Sequence, residues 1–151
     1  MTQVRRLGAS DAADMRVLNA LFARAFEDSE QYPARGPDDG YLAEALAKPH
    51  VVALVAQDAG EIVGGLVAYE FDKLEQARRE LYIYDLAVEA AHRRRGIATA
   101  LISDLRRHAA ERGAWVVYVQ ADHGDDPAVA LYTKLGTRED VMHFDMTPLA
   151  G

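Results

Sequence analysis

The sequence predicts an α/β protein in which a mixed central β-sheet is flanked by helices, in the order β-α-α-β-β-β-α-β-α-β. Two apolar, strand-like segments, 51–56 and 62–71, are joined by the turn sequence Asp58-Ala59-Gly60-Glu61, which is typical of a β-hairpin. A third strand-like segment, 81–88, precedes apolar residues at positions 97, 101, 102 and 105, a helical spacing. A hairpin pairs antiparallel strands, whereas a helical crossover joins parallel ones, so both kinds of pairing are expected in one sheet.

The first part of the chain supplies a short strand and two helices. Residues 3–7 suit a strand, and residues 15–22 place an apolar face on the helix that follows. The acidic segment 27–33 breaks this pattern and is interpreted as a surface loop, or as the rim of a site for a cationic ligand. A second helix begins near Pro37 and ends before Pro49.

The rest of the chain alternates strands and helices. The pair Gly64-Gly65 inside a strand indicates a bulge or the close approach of another backbone. Gly113 and Gly136 are suitable stops for the last two helices. The remaining elements are a strand at 115–121, an acidic turn at 122–127, a helix at 128–135 and a closing strand at 141–146.

Composition limits the class of protein. A chain of 151 residues suits one domain, so residues 1–151 are expected to fold together. The sequence contains no cysteine, which excludes disulfides, thiolate catalysis and Cys-ligated zinc. A net charge of −7 disfavours nucleic acid as a partner and is compatible with a cationic substrate. No apolar run of about 20 residues is present, so we expect a cytoplasmic protein without a membrane span.

A basic turn lies between the strand at 81–88 and the helix after it. Arg93, Arg94 and Arg95 precede Gly96, which opens that helix. The first amides of a helix have no partner inside it, and arginines add charge-assisted hydrogen bonds to an anion. The turn is therefore a candidate phosphate site, although three adjacent arginines also occur in solvated turns.

The spacing of this turn resembles a known signature. Arg93-x-x-Gly96-x-Ala98 is similar to the pyrophosphate-binding motif of the GNAT N-acetyltransferase superfamily, and Leu131-Tyr132-x-Lys134-x-Gly136 resembles the other signature of that superfamily. The resemblance implies the GNAT fold and acetyl-CoA as co-substrate. It also implies a bulge near the end of the strand at 81–88. The cofactor-binding residues it implies are Leu86, Ala87, Val88, Arg93, Arg94, Arg95, Gly96, Ile97, Ala98 and Thr99.

A narrower resemblance points to one branch of this superfamily. The segments 75–78, 82–88, 118–122, 124–127 and 141–145 look like the aminoglycoside 3-N-acetyltransferases of the gentamicin-acetylating type. This likeness implies acetyl transfer to the 3-amino group of aminoglycosides, antibiotic resistance and a homodimer.

The resemblance also implies roles for individual residues. Tyr132 matches the tyrosine that protonates the leaving thiolate in the family. Asp85 is the first candidate for the base, because a carboxylate in an apolar strand is costly unless it is paired or functional. A structural, hydrogen-bonded aspartate is the alternative for this residue. The carboxylates expected to bind substrate ammonium groups are Glu75, Asp122, Asp125, Asp126 and Asp28.

Other functions are disfavoured or left open. The turn at 122–126 lacks the ligand spacing of an EF-hand, and the histidines lack that of a metalloenzyme, so no metal is expected. The open alternatives are an acetyltransferase for another small amine or a polyamine, and a non-catalytic protein that binds acetyl-CoA.

Overall fold

A computed structural model describes residues 2–151, so Met1 lies outside the described range. The chain divides into two compact units, the first ending at Gln120 and the second comprising Ala121–Gly151. The first unit contains the strands β1 (Thr2–Arg6), β2 (Val51–Asp58), β3 (Glu61–Lys73), β4 (Arg78–Val88) and β5 (Ala114–Val119), and the helices α1 (Ala12–Phe26), α2 (Asp39–Ala47) and α3 (Ile97–Glu111), with a short 3₁₀ turn at Ala90–His92.

The sheet is mixed, as the sequence predicts. Its order is β1-β2-β3-β4-β5, with antiparallel pairing from β1 to β4 and parallel pairing between β4 and β5. The hairpin turn between β2 and β3 places Ala59 and Gly60 at positive φ, which suits the twist of paired strands. The helix α3 makes the crossover from β4 to its parallel neighbour β5.

Two helical layers cover the sheet. On one face, Leu18 and Phe22 of α1 belong to a buried cluster with Val55 of β2 and Val67 of β3, and α2 joins the same cluster through Leu42 and Leu46. Alternate residues of the strands, such as Leu54 and Leu66, are buried on the opposite face, where α3 lies against the strands. The sheet is thus covered by helices on both faces.

The glycine pair of β3 allows α1 to approach the sheet. A Cβ atom built on Gly65 would lie 2.5 Å from Leu18 Cδ1 and 2.7 Å from the carbonyl oxygen of Leu54. The β2–β3 register also shifts beside Gly64, because Ala56 pairs with Gly64 while Gln57 pairs with Ile62. Both interpretations of the glycine pair are confirmed. The register shift beside Gly64 is the bulge, and the Leu54 carbonyl next to Gly65 is the close backbone approach.

Replacing Gly65 by alanine is therefore expected to lower the free energy of unfolding by about 1–3 kcal/mol, the usual cost of overpacking a core. Gly40→Ala is the matched control, since Gly40 lies within α2 and alanine there should stabilise the helix slightly. Urea denaturation of both variants measures the effect. Equal stability of the two variants would contradict the packing argument.

The second unit contains the helix α4 (Asp126–Leu135), and the chain after it has no regular secondary structure. Asp125 caps α4 by accepting a hydrogen bond from the amide of Ala128 at 3.4 Å. The closing strand predicted at 141–146 is wrong for this structure. A strand forms only where a neighbouring backbone takes up its amides and carbonyls, and no strand within residues 2–151 pairs with this segment. The rest of the predicted order is confirmed.

Candidate active site

A bulge in β4 shapes the candidate site. Val67 of β3 pairs with Asp85, whereas its neighbour Ala68 pairs with Ile83, so Tyr84 is an extra residue on β4. The extra residue lets Tyr84 and Asp85 both face the α1 side of the sheet, because Asp85 lies opposite Val67 of the α1 cluster. The bulge implied by the resemblance is present, and it turns a carboxylate toward the α1 layer.

Beyond the bulge, β4 separates from β5. The parallel pairing with β5 ends at Ile83, and no strand within residues 2–151 pairs with the outer side of β4 after it. The amide of Glu89 donates to the carbonyl of Val63 on β3 at 2.8 Å. Since backbone groups alternate in direction along a strand, those of Leu86 and Val88 point away from β3. This short open edge contains Leu86 and Val88, two of the three β4 residues that the resemblance implies for cofactor binding, whereas Ala87 pairs with Gly65 on β3.

The basic turn that follows has the geometry of an anion site. Gly96 lies at φ 77° before α3, and a Cβ atom built there would meet nothing within 4 Å. The first helical hydrogen bond of α3 runs from the amide of Ala100 to the carbonyl of Gly96 at 2.9 Å. The amides of residues 97–99 therefore have no partner inside the helix.

The arginines of this turn are exposed, and within residues 2–151 none of them forms an ion pair with a carboxylate. Arg93 Nε donates to the carbonyl oxygen of Val88 at 3.3 Å, which ties the turn to the end of β4. Open space at Gly96, free helix amides and unpaired guanidinium groups all fit a pyrophosphate group.

Asp85 has one hydrogen-bond partner that the sequence did not reveal. The hydroxyl of Tyr32, in the loop after α1, donates to Asp85 Oδ1. Burial raises the pKa of Asp85, and the hydrogen bond from Tyr32 opposes part of that rise. Burial and the hydrogen bond with Asp85 raise the pKa of Tyr32, so the phenol stays protonated and donates the hydrogen bond. A carboxylate with a raised pKa is a better proton acceptor than an exposed one.

Glu70 on β3 is a buried acid with a structural role, and its hydrogen-bond partners differ from those of Asp85. Its oxygens accept hydrogen bonds from Arg112 at 2.9 and 2.7 Å, and Arg79 lies at 3.8 Å. The hydrogen bonds from Arg112 lower the pKa of Glu70, against the opposing effect of its burial. Asp85 has no such cationic partner within residues 2–151, so the structural alternative for it is supported only by Tyr32.

A row of tyrosines extends across the sheet from Asp85. The ring of Tyr84 contacts those of Tyr69 and Tyr82 edge-on, with centroids 6.0 and 5.8 Å apart, and Tyr82 stacks on Tyr118 at 4.8 Å. Tyr84 is 55% exposed. Asp85 contributes to raised pKa values of Tyr69 and Tyr82, after desolvation as the main cause. We call Tyr69, Tyr84, Tyr82 and Tyr118 the tyrosine row.

The other predicted substrate carboxylates in the first unit lie in two places. Asp28 belongs to the loop of Tyr32 and makes a small contribution to that tyrosine's raised pKa, so it lies near Tyr32. Glu75 lies in the β3–β4 turn, where it pairs with Lys73 and Arg78. Arg78 and Asp85 are seven positions apart along β4, about 23 Å of strand. Glu75 and Asp85 are therefore not brought together within one chain.

The second unit carries the remaining predicted residues. Asp122 and Asp126 are exposed, and the side chain of Asp125 is used as the cap of α4. Tyr132 belongs to α4. Its burial raises the pKa of the phenol to about 12, with a smaller contribution from Asp125.

Tyr32 and the tyrosine row were missed by the sequence reasoning. A weak signal existed for Tyr32, since it is an aromatic residue in an acidic loop considered as a rim. The tyrosines of β4 alternate with apolar residues and read as an ordinary strand. Only strand pairing shows that Tyr69 and Tyr118 lie beside them.

Sequence comparison identifies the family. The model of the Acetyltransferase (GNAT) family matches residues 16–137. The chain belongs to the GNAT acetyltransferase family. Members of this family use acetyl-CoA, and the match covers both the open edge of β4 and the basic turn.

Individual relatives agree with this assignment. An aminoglycoside acetyltransferase from an uncultured soil metagenomic sample is 51% identical, with a TM-score of 0.95 and 99% coverage of both chains. A second such enzyme, solved with sisomicin, is 31% identical, with a TM-score of 0.90, covering 98% of this chain and 97% of that one. An uncharacterized N-acetyltransferase of Bacillus subtilis, YhfO, is 27% identical over 91% of this chain and 90% of its own length.

Within residues 2–151, no group of three or more histidine, aspartate or glutamate side chains could hold a metal ion. None of the helices in this range combines the length and apolar character needed to cross a bilayer.

Proposed function

We propose that this GNAT enzyme transfers the acetyl group of acetyl-CoA to the 3-amino group of aminoglycosides, including gentamicin, in the cytoplasm, and so confers resistance. The single observation that carries the proposal is the partly buried Asp85, which follows the exposed Tyr84 of the tyrosine row and lies at the start of the open edge of β4. The likeness to two aminoglycoside acetyltransferases, one of them solved with sisomicin, supports the choice of substrate. We also propose that the enzyme is a homodimer.

In the proposed reaction, the neutral amine attacks the thioester carbonyl carbon. A C–N bond forms, the C–S bond breaks, and coenzyme A leaves as a thiolate. Asp85 takes the proton that the ammonium form of the substrate must lose before the attack, directly or through water. The second proton, on the nitrogen that has formed the C–N bond, leaves to solvent, and solvent supplies one proton to the thiolate. Burial favours this role, since it raises the pKa of Asp85 toward that of a useful base.

The co-substrate is held by the residues named above. In this proposal the Arg93–Gly96 turn binds the pyrophosphate, and the backbone of Leu86 together with the amide of Val88 binds the pantetheine arm as an added strand would. An amide of that edge supports the oxyanion as the carbonyl becomes tetrahedral.

Tyr132 is proposed to donate a hydrogen bond to the departing sulfur. Its pKa of about 12 keeps the phenol protonated at every working pH. A thiol has a pKa of about 8.5, so full proton transfer from this tyrosine to the thiolate is unfavourable. Stabilisation of the leaving thiolate by a charge-assisted hydrogen bond is therefore the role that its acidity permits, with solvent completing the protonation.

The tyrosine row suits an amino sugar with several ammonium groups. Aromatic faces attract cations, and a carboxylate beside the ring adds to the attraction of the site for a polycation. Asp28 adds negative charge near Tyr32, and the net charge of −7 favours the approach of cations in general.

The first test measures thiol release from acetyl-CoA with gentamicin, kanamycin, spermidine and a short peptide, each with the same purified protein. Release with the aminoglycosides alone, followed by NMR of the product to locate the acetyl group on the 3-amino nitrogen, is the expected result. Release with spermidine or peptide only would support the alternative of another amine. No release with any amine, while coenzyme A still binds, would support the non-catalytic alternative.

Tyr84→Leu should raise the KM for the aminoglycoside by about 3–30-fold, the range of one cation–π contact, and leave the KM for acetyl-CoA unchanged. Phe71→Leu is the matched control. Phe71, on β3, is an exposed aromatic residue like Tyr84, but it lies outside the tyrosine row. Steady-state kinetics with both substrates varied measure the effect. Equal KM values for the two variants would remove the tyrosine row from the substrate site.

A further inference from the structure

A second carboxylate lies on the same face of β4 as the tyrosine row. Leu81 and Ile83 are buried on the α3 side of the sheet, so the residues that alternate with them, Glu80 and Tyr82, lie on the opposite face. Tyr118, which stacks on Tyr82, lies near Glu80, because the charge of Glu80 adds to the desolvation that raises the pKa of Tyr118. Glu80 therefore borders the tyrosine row.

The carboxylates of Glu80 and Asp85 lie at opposite ends of the β4 part of this row. They occupy positions 80 and 85, and the bulge at Tyr84 absorbs one position, so about 13 Å of strand separates them. Tyr82 and the exposed Tyr84 lie between them. Two or three linked sugar rings have a length of the same order, so one polycationic amino sugar can reach both carboxylates.

The carboxylate of Glu80 keeps unused hydrogen-bond acceptors. Its Oε2 accepts a hydrogen bond from the indole nitrogen of Trp115 at 3.2 Å. Its Oε1 lies 4.0 Å from Lys73 Nζ, too far for a hydrogen bond, and that ammonium group also lies 3.9 Å from Glu75. A carboxylate accepts about four hydrogen bonds, and within residues 2–151 no other group pairs with Glu80. Trp115 thus orients the carboxylate and leaves Oε1 for a cation.

Partial burial makes this charge more effective than its exposed neighbours. The side chain of Glu80 is 16% exposed, whereas that of Asp72 at the same end of the sheet is 80% exposed. Solvent and salt weaken the attraction of an exposed carboxylate for a cation, and they screen a partly buried one less. The position of Lys73 shows that an ammonium group can approach this carboxylate.

We propose that Glu80 binds an ammonium group of the aminoglycoside on a ring other than the acetylated one. The acceptor amine then lies at Asp85, the sugar rings lie on Tyr84 and Tyr82, and the second ammonium group displaces Lys73 from Glu80. This inference rests on the proposed function and adds a specificity-determining residue to it. Aminoglycosides with an amine on a linked ring are the substrates that Glu80 favours.

Calorimetric titration with gentamicin tests the role of Glu80. Glu80→Gln removes the charge but keeps an oxygen that accepts from Trp115. The dissociation constant should rise about 10–150-fold, the value of one hydrogen bond to a charged group, and kcat should change little. Asp72→Asn makes the same change in net charge at an exposed site and should leave the dissociation constant unchanged. Equal dissociation constants for these two variants would overturn the proposal.

Lys73→Met is expected to have the opposite effect. Removal of the competing ammonium group frees Glu80, so the dissociation constant for gentamicin should fall about 2–5-fold, the range of one exposed ion pair. Lys48→Met, at the exposed end of α2, changes the net charge equally and should leave binding unchanged. Because tighter binding is expected, a poorly folded Lys73→Met protein cannot imitate the result. Unchanged or weaker binding by Lys73→Met would overturn the proposal.

Two aromatic variants separate the charge from its surroundings. Trp115→Phe removes the hydrogen bond to Glu80 but keeps the carboxylate, so most of the affinity for gentamicin should remain. A loss as large as that of Glu80→Gln would show that Glu80 only positions Trp115, and would overturn the proposal. Phe71 is the β3 neighbour of Glu80, and Phe71→Leu keeps the charge there, so gentamicin binding should be retained.

Failure of this inference is distinguishable from failure of the proposed function. Acetylation of gentamicin by the wild type, with equal affinities for gentamicin in Glu80→Gln and the wild type, would reject the role of Glu80 alone. A wild type that neither binds nor acetylates gentamicin would reject the proposed function and the role of Glu80 with it.

Discussion

Asp85→Asn is expected to lower kcat with an aminoglycoside by about 10²–10⁴-fold, the usual contribution of a positioned base. Asparagine keeps the size of the side chain and still accepts a hydrogen bond from Tyr32, so the change removes the proton acceptor alone. The acid limb of the pH profile of kcat/KM, which in our proposal reports ionisation of Asp85, should disappear. Steady-state kinetics from about pH 5 to 9 measure both effects.

The same variant should be more stable than the wild type at neutral pH. Burial raises the pKa of Asp85 in the folded state, so the folded chain binds more protons than the unfolded chain between the two pKa values. Stability contributed by this group therefore falls as pH rises through that window. The gain in Tm from Asp85→Asn should vanish below about pH 4, where the wild-type carboxyl is protonated in both states.

Tyr32→Phe separates the base from its partner. The hydrogen bond from Tyr32 lowers the pKa of Asp85, so its removal should move the acid limb to higher pH with a small change in limiting kcat. Direct ¹³C NMR titration of the Asp85 carboxyl should show the same upward movement without any turnover. An unmoved limb and an unmoved carboxyl titration would reduce Tyr32 to a packing residue. Full activity of Asp85→Asn would instead make Asp85 the structural aspartate of the alternative interpretation.

Tyr132→Phe is expected to lower kcat by about 10–150-fold, the value of one hydrogen bond to a charged group. A larger loss would require complete proton transfer, which a phenol with a pKa of about 12 does not favour. Because burial raises the pKa of the phenol, no basic limb from Tyr132 should appear below about pH 11 in the wild type.

The measurement for Tyr132 has two parts. Pre-steady-state thiol release gives the chemical step, and calorimetric titration with coenzyme A gives the dissociation constant, which should stay unchanged. Thr133→Ala, the neighbouring exposed position in α4, is the control and should keep full turnover. Unchanged turnover in Tyr132→Phe would exclude any role for this phenol in the departure of the thiolate.

Local patterns in the sequence were sufficient to predict the architecture of the sheet and its helices. The alternation of apolar segments and turns predicted the hairpin β2–β3, the crossover α3 and the mixed sheet, because these elements depend on periodicity and on a few turn residues. The basic turn was found in the same way, since Arg93 to Gly96 are consecutive and their geometry is set by the start of one helix.

Contacts between distant residues were decided by the tertiary structure. Tyr32 meets Asp85 across 53 positions, and the tyrosine row joins three strands whose register no local pattern encodes. The segment 141–146 has the sequence of a strand, but a strand needs a neighbouring backbone, and no local pattern in the sequence says whether one is available. The sequence by itself determined the order of the elements from β1 to α4 and the position of the basic turn. Only the tertiary structure decided what lies beside Asp85 and which strands pair, because both depend on long-range packing.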